Sequence, residues 1–321
     1  MLAYDWRTYT MLKLLKADFE YARRSYLCIG VLLLFMLFTC LTFFLSYNHA
    51  MTAYSSYEYQ LQFMTKQGAN IEEELKKEYK ILAQEGSTGT VENPASFYHE
   101  MLASSIYSLE PNYAISQYLE QSILFFPIIA VFFGVIWSAV DFRNKTYRNR
   151  CLRFGKIKSV FGRQLSGFLI LVILMVIASA FAFAAQAVAR SQFVSSIGEA
   201  YNIEHLHSTG LVKYVLQYFF GVLSLLFYYE IGFTFGNLFK GNALVQILVC
   251  VYMFFTPMLY KYDASNIFNS FAMKVFELKG PIEITKSYEI NYGIGALVLV
   301  GIFAILLLCN YFAAKKRSAY I

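Results

Sequence analysis

Charge is what this sequence has least of. Only 15% of its 321 residues are Asp, Glu, Lys or Arg, whereas 58% are apolar. An ordinary soluble domain carries roughly 25% charge, so that class is excluded. Five cysteines are present. Cys28, Cys40, Cys250 and Cys309 lie in long apolar runs and Cys151 in a basic stretch, so a disulfide framework of the secreted kind is not expected. No G-x-x-x-x-G-K-[ST] occurs, which removes the phosphate-cradling loop that ATP hydrolysis by this chain would need. No H-E-x-x-H occurs either, and His49, His99, His205 and His207 all fall outside the apolar runs. A metalloprotease or other metal enzyme at membrane depth therefore has no ligands to start from.

What the sequence does have is six apolar runs, at about 26–47, 121–140, 166–189, 214–238, 242–260 and 292–313. Each is long enough to cross about 30 Å of hydrocarbon as a helix. They are continuously apolar rather than alternating, which excludes a transmembrane barrel. The expected fold is all-α: a polytopic membrane protein forming one transmembrane domain over 1–321. The first run is about 22 residues long and follows a polar segment, so it is expected to remain as a signal anchor rather than be cleaved.

Charge placement orients the chain. Residues 141–163, DFRNKTYRNRCLRFGKIKSVFGR, hold eight Lys or Arg and a single acid. Short loops of that kind stay in the cytoplasm. With both termini inside, 17 of the 27 basic residues face the cytoplasm and 16 of the 21 acids face outward. The net charge of +6 is then a property of faces beside anionic lipid, not of a nucleic-acid site.

Residues 1–25 place Tyr4, Met11, Leu15, Phe19 and Ala22 on one helical face and Lys13, Lys16, Glu20 and Arg24 on the other, the pattern of a helix lying in the inner interface. Residues 48–120 form an outer segment with ten acids and four lysines. Within it, 71–84 and 96–109 read as short helices, the first supported by Glu72 and Glu73 four residues before Lys76 and Lys77. Phe239, Lys240, Gly241 and Asn242 form a tight inner hairpin between the fourth and fifth runs. The outer loop 261–291 carries Ile267, Phe268, Phe271 and Val275 at helical spacing, too short to span and so interfacial or re-entrant.

Glu230 is the one acid well inside a run. Burying an ionisable group there costs about 2.5–3.5 kcal/mol on insertion scales, so it is expected to face protein or water, as a coupling residue or as a structural hydrogen-bond anchor. Gly232 and Gly236 follow it as a small-xxx-small pair. Ala178, Ala182, Ala185 and Ala189 make a small-residue stripe, and Pro127 and Pro257 are placed to kink their helices.

The basic loop resembles the first cytoplasmic loop of bacterial ABC type-2 exporter permeases. Asp141 is similar to the acid that follows the family's second span; Thr146, Arg148 and Asn149 resemble its Thr-x-basic-Asn run. Gly155 resembles the glycine, Lys156 or Lys158 the basic residue and Arg163 the closing one, while Lys145 stands where the family carries Gly. The six-span plan is similar as well. What the resemblance implies is a permease subunit without catalysis of its own, whose loop seats in a cleft of a separate ATP-binding-cassette ATPase. ATP and Mg would be bound by that partner, and a second permease chain would complete the transporter. The segment 149–161 is then expected to be a short coupling helix. In it Leu152, Phe154 and Val160 offer apolar contacts, and Arg150, Arg153, Lys156 and Lys158 offer charge. The substrate class would be hydrophobic or amphipathic, with peptide and antimicrobial cargo among the options. A receptor-like scaffold whose outer segment senses a ligand, and a membrane-embedded enzyme, are the alternative readings.

Overall fold

The computed structural model describes residues 6–68, 70–82, 90–197, 210–240, 260–280 and 288–316. The described chain is all-helical apart from one two-stranded pair. Five of its helices are long and apolar enough to cross a membrane. That architecture is compatible with a multi-pass membrane protein. The expected fifth run, Pro257, Cys250, His205 and His207 lie outside the described residues.

α1 (Trp6–Arg24) leads into α2 (Tyr26–Lys66) through Ser25, whose hydroxyl caps the Leu27 N–H at 3.1 Å. α2 is 41 residues long, about 60 Å at 1.5 Å per residue, so it continues far beyond a bilayer. Segment 48–120 therefore begins as the same helix rather than as a separate one. Its extension is packed: Ala53 and Tyr57 bury Leu102 of α4 (Pro94–Ser108), and Ala50 meets Leu109 and Phe193. The helix expected over 71–84 stops early, as α3 (Ile71–Lys76). Asn93 explains the stop. Its side-chain amide donates to the Glu74 and Lys77 carbonyls at 2.8 and 2.9 Å, taking up helix-end acceptors, while its Oδ1 caps α4 at Ser96 N. Between them β1 (Lys80–Leu82) pairs antiparallel with β2 (Thr90–Glu92).

α5 (Pro111–Glu120) turns the chain into α6 (Phe125–Arg143), which with α9 (Leu211–Leu238) forms the centre of the bundle. Of the most apolar window of α6, 72% is buried. The two helices approach closely because each offers glycine to the other. A Cβ on Gly134 would lie 2.5 Å from the Tyr229 carbonyl, one on Gly236 2.6 Å from the Val135 carbonyl, and one on Gly232 would overlap the Val131 carbonyl. Backbones in that contact leave no room for any side chain. Pro127 is the third residue of α6, where its missing N–H has no intrahelical partner to lose. It starts the helix and does not kink it.

The basic loop is folded as α7 (Tyr147–Phe154), followed by the 42-residue α8 (Lys156–Ile197). Ala178 and Ala182 are fully buried, and Ala185 and Ala189 partly so. α10 (Ala264–Val275) is capped by Asp263, whose Oδ1 accepts from Ser265 N at 2.9 Å. It buries Ile267, Phe268 and Val275, with Phe268 against Phe220 and Phe227 of α9. α11 (Tyr292–Lys316) is the opposite of α6, since only 6% of its apolar window is buried and Leu297, Val300 and Leu308 face outward.

Candidate coupling loop and its buried charges

α7 is a helix of eight residues between two backbone reversals. Lys145 before it has φ 56°, and Gly155 after it has φ 81° and ψ 152°. The second is a conformation almost confined to glycine. The expected single helix over 149–161 is thus two helices broken at Gly155, because no other residue carries the chain through that corner cheaply. Thr146 fixes the start: its N–H donates to the Asp141 carbonyl at 2.9 Å and its hydroxyl to Asp141 Oδ1 at 3.0 Å.

The helix has two faces. Tyr147 and Cys151 are buried, with Tyr147 stacked on Phe142 at 4.7 Å. Arg148, Asn149, Leu152 and Arg153 are exposed, as are Thr146, Gly155 and Lys158, while Phe154 and Lys156 are half-buried. Leu152 is 67% exposed.

Three residues expected at that surface are not there. Val160 is 5% exposed and belongs to the core. Arg150 points inward, donating through both terminal nitrogens to Asp18 of α1 at 2.6 and 2.7 Å. Arg163 is 5% exposed, donating to Asp18 at 2.7 Å and to Asp141 at 2.6 Å. The reason is Asp18, a carboxylate 1% exposed that would be intolerable alone and so draws both guanidiniums to itself. Ser166 adds a donor to Asp18 at 2.7 Å, and Ser159 accepts from Arg150 Nε at 3.1 Å. Two carboxylates and two guanidiniums cancel, tying α1, α6, α7 and α8 at one point. Burial by itself would disfavour the Arg150 charge, but hydrogen bonding and attraction to Asp18, with Asp141 adding, raise its pKa above the ordinary arginine value. The Arg163 guanidinium also lies over the Trp137 ring, 4.9 Å from its centroid, and Trp137 Nε1 donates to the Arg163 carbonyl at 2.9 Å.

Asp18 was legible only in part. Leu14, Asp18 and Ala22 are spaced by four and all three are buried, so an acid on an apolar stripe was the signal. A cavity of about 10 Å³ lined by Ser138, Asp141, Tyr147, Ser159, Arg163 and Asn237 adjoins the cluster. It is at the lower limit for a single water.

Glu230 sits one layer deeper, 1% exposed. Gln164 of α8 and Asn310 of α11 donate to its two oxygens, Asn310 at 2.8 Å, and Thr234 donates at 3.4 Å. Asn237 extends the chain to Asn310 at 3.0 Å, and the Tyr229 hydroxyl donates to the Gln164 carbonyl at 3.0 Å. Glu230 therefore faces protein, joining three helices, and its partner Gln164 is the neighbour of Arg163. Among the described residues no three His, Cys, Asp or Glu side chains form a metal-holding group. His49 bonds Ser105 at 3.1 Å and His99 packs on Tyr57.

Comparison of the chain with known protein families, with characterised proteins and with solved structures gives no match.

Proposed function

We propose that this chain is the membrane-spanning permease subunit of an ABC type-2 exporter of the cell membrane. It moves a hydrophobic or amphipathic substrate outward while a separate ATPase subunit, holding ATP and Mg, supplies the energy. In this reading both termini are cytoplasmic, six helices span, and a second permease chain completes the pathway.

The observation that carries the reading is the construction of α7. A short basic helix exposes Leu152 and Arg153 while its inner face is fixed by Arg150 and the Asp18, Asp141 and Arg163 cluster. A lever must be stiff where it is anchored and open where it is pushed, and α7 has both properties. Lys145 supports the resemblance from another side: the position where the family carries Gly has a left-handed backbone here. The exposed α11 face suits lipid or a second permease chain.

The test is co-purification in mild detergent. An ATP-binding-cassette ATPase is expected to remain with the chain, and Leu152→Ala with Phe154→Ala is expected to lose it or to uncouple hydrolysis from transport. Lys158→Ala should do less, since exposed charges at an interface rim set orientation and rate more than energy. Wild-type ATPase binding in the double variant defeats the coupling assignment. A histidine kinase recovered in place of the ATPase favours the receptor-like scaffold.

A further inference from the structure

The end of the bundle away from α7 holds a second buried polar region, built on α5. Tyr113, Gln117 and Glu120 are each fully buried there. The Tyr113 hydroxyl donates to Glu120 Oε1 and accepts from the backbone N–H of Lys279 at 2.9 Å. The strap 276–280, which follows α10, is thereby fastened to α5. Gln117 Nε2 donates to Ser46 Oγ on α2. Two oxygens then have no donor, Glu120 Oε2 and Gln117 Oε1. The two side chains converge on one place: a Cβ on Gly280 would lie 2.9 Å from Glu120 Oε2, 3.3 Å from Gln117 Cγ and 3.5 Å from Gln117 Nε2.

Buried acceptors without a donor are rare in folded proteins and costly. A hydrogen on Glu120 removes the charge from this buried carboxyl, which has no cation beside it, and turns its unserved oxygen from acceptor to donor. The charged groups packed around this end do not supply an alternative. Lys213 of α9 pairs with Glu277 of the strap, to which Tyr107 of α4 also donates at 3.3 Å. Arg190 of α8 pairs with Glu110 at 2.5 Å. Among the described residues no basic side chain pairs with the Glu120 carboxyl.

We propose that Glu120 is a proton-binding site, neutral in the folded protein at neutral pH, and that loss of this proton frees the 276–280 strap from α5. Burial is the main cause that raises the Glu120 pKa to about 8, with Glu277 adding, against the opposing hydrogen bonds from Tyr113 and the Leu278 N–H. The folded state thus holds a proton that the unfolded chain releases near the ordinary carboxyl value. The stability this gives is complete below that value and declines as pH rises towards 8.

The test uses the full chain in detergent with Lys279→Cys as a reporter on the strap, labelled by a soluble maleimide. The ratio of labelling rates at pH 9 and pH 7 is compared with the same ratio in a Glu120→Gln background, which cancels the thiol's own ionisation. Glutamine mimics the neutral acid, so the wild-type background is expected to show an extra rise of about fivefold to tenfold, following the charged fraction of Glu120. Equal ratios overturn the proposal. If Glu120→Gln does not accumulate, infrared difference spectra of Glu230→Gln, which lacks the other buried carboxyl held by neutral side chains, decide between the same outcomes. A protonated-carboxyl stretch that disappears between pH 7 and pH 9 supports the site, and its absence overturns it.

Discussion

The two ends of the bundle both bury carboxylates, yet they settle the charge in different ways. At the α7 end, Asp18 and Asp141 meet Arg150 and Arg163, so every charge has a partner within 2.7 Å. At the α5 end, Glu120 meets a tyrosine hydroxyl and neutral amides, with one oxygen unserved. A closed set of pairs leaves no charge wanting a partner and holds geometry. A lone buried carboxyl must be neutral or disruptive, which makes it responsive. The molecule thus places a fixed anchor where the proposed ATPase would push and a titratable joint at the far end.

The largest effect expected from this contrast is on removing one member of the closed set. Asp18→Ala leaves Arg150 and Arg163 facing a single carboxylate in a buried site. Loss of one partner from a buried pair costs about 3–5 kcal/mol, enough to deplete the folded protein. Thermal unfolding in mild detergent checks it. A melting temperature unchanged from wild type would mean that the cluster does not lock α1 to α7 and α8.

Between the two ends lies Glu230, and here the chemistry of the substitution decides the outcome. Glu230→Gln keeps an acceptor for Asn310 or Gln164 and is expected to fold nearly normally. Glu230→Leu leaves the Gln164, Asn310 and Thr234 donors buried and unserved, at about 1–3 kcal/mol for each group not rescued by rearrangement. Unfolding and transport measured on both variants separate them. Equal behaviour of glutamine and leucine removes any role for the hydrogen-bond set.

The contrast also predicts a pH response. Wild-type stability is expected to fall as pH rises from near 5 towards about 8, the value to which Glu120 is pushed up. In Glu120→Gln that decline should shrink by the share that Glu120 carries. A decline of equal size in both proteins would assign the titration elsewhere.

How much of this was readable from the chain depends on whether the signal is local. Runs of apolar residues located four of the five described spans to within a few residues at one end or the other, because hydrophobic length is written in sequence. Gly232 and Gly236 announced a close helix approach; Gly134, their counterpart on α6, carries the same mark, with Ala130 and Ser138 four positions to either side, but that pattern was passed over. Arg150 and Arg163 read as surface cations because local charge density says nothing about Asp18, more than 130 residues earlier. Glu120 lay at the edge of a run and passed for an ordinary boundary acid. The lengths of α2 and α8 beyond the apolar runs were missed as well, since the α2 extension is held by packing against α4, and α8 by Phe193 against Ala50 and Leu109 at its end and by Leu14 of α1 against Gly162 near its start, not by hydropathy. Long-range pairing of polar groups is a property of the fold, and only their placement on an apolar stripe leaves a trace.

The smallest expected effect concerns the corners of α7, and it distinguishes stiffness from chemistry. Lys145 holds a left-handed backbone at φ 56°, which costs a residue with a Cβ about 1–2 kcal/mol relative to glycine. Glycine gives part of that back through its larger freedom in the unfolded chain. Lys145→Gly should therefore be neutral to stabilising by less than about 1 kcal/mol, without altering ATPase association, since the outward face of α7 is untouched. Gly155→Ala should act in the opposite direction, because open space surrounds its Cβ position and the strain comes wholly from φ 81°. Paired melting curves for the two variants read this directly. If Lys145→Gly melts well below wild type, its side chain makes a contact that matters more than its backbone, and the corner before α7 is held by chemistry rather than by conformation.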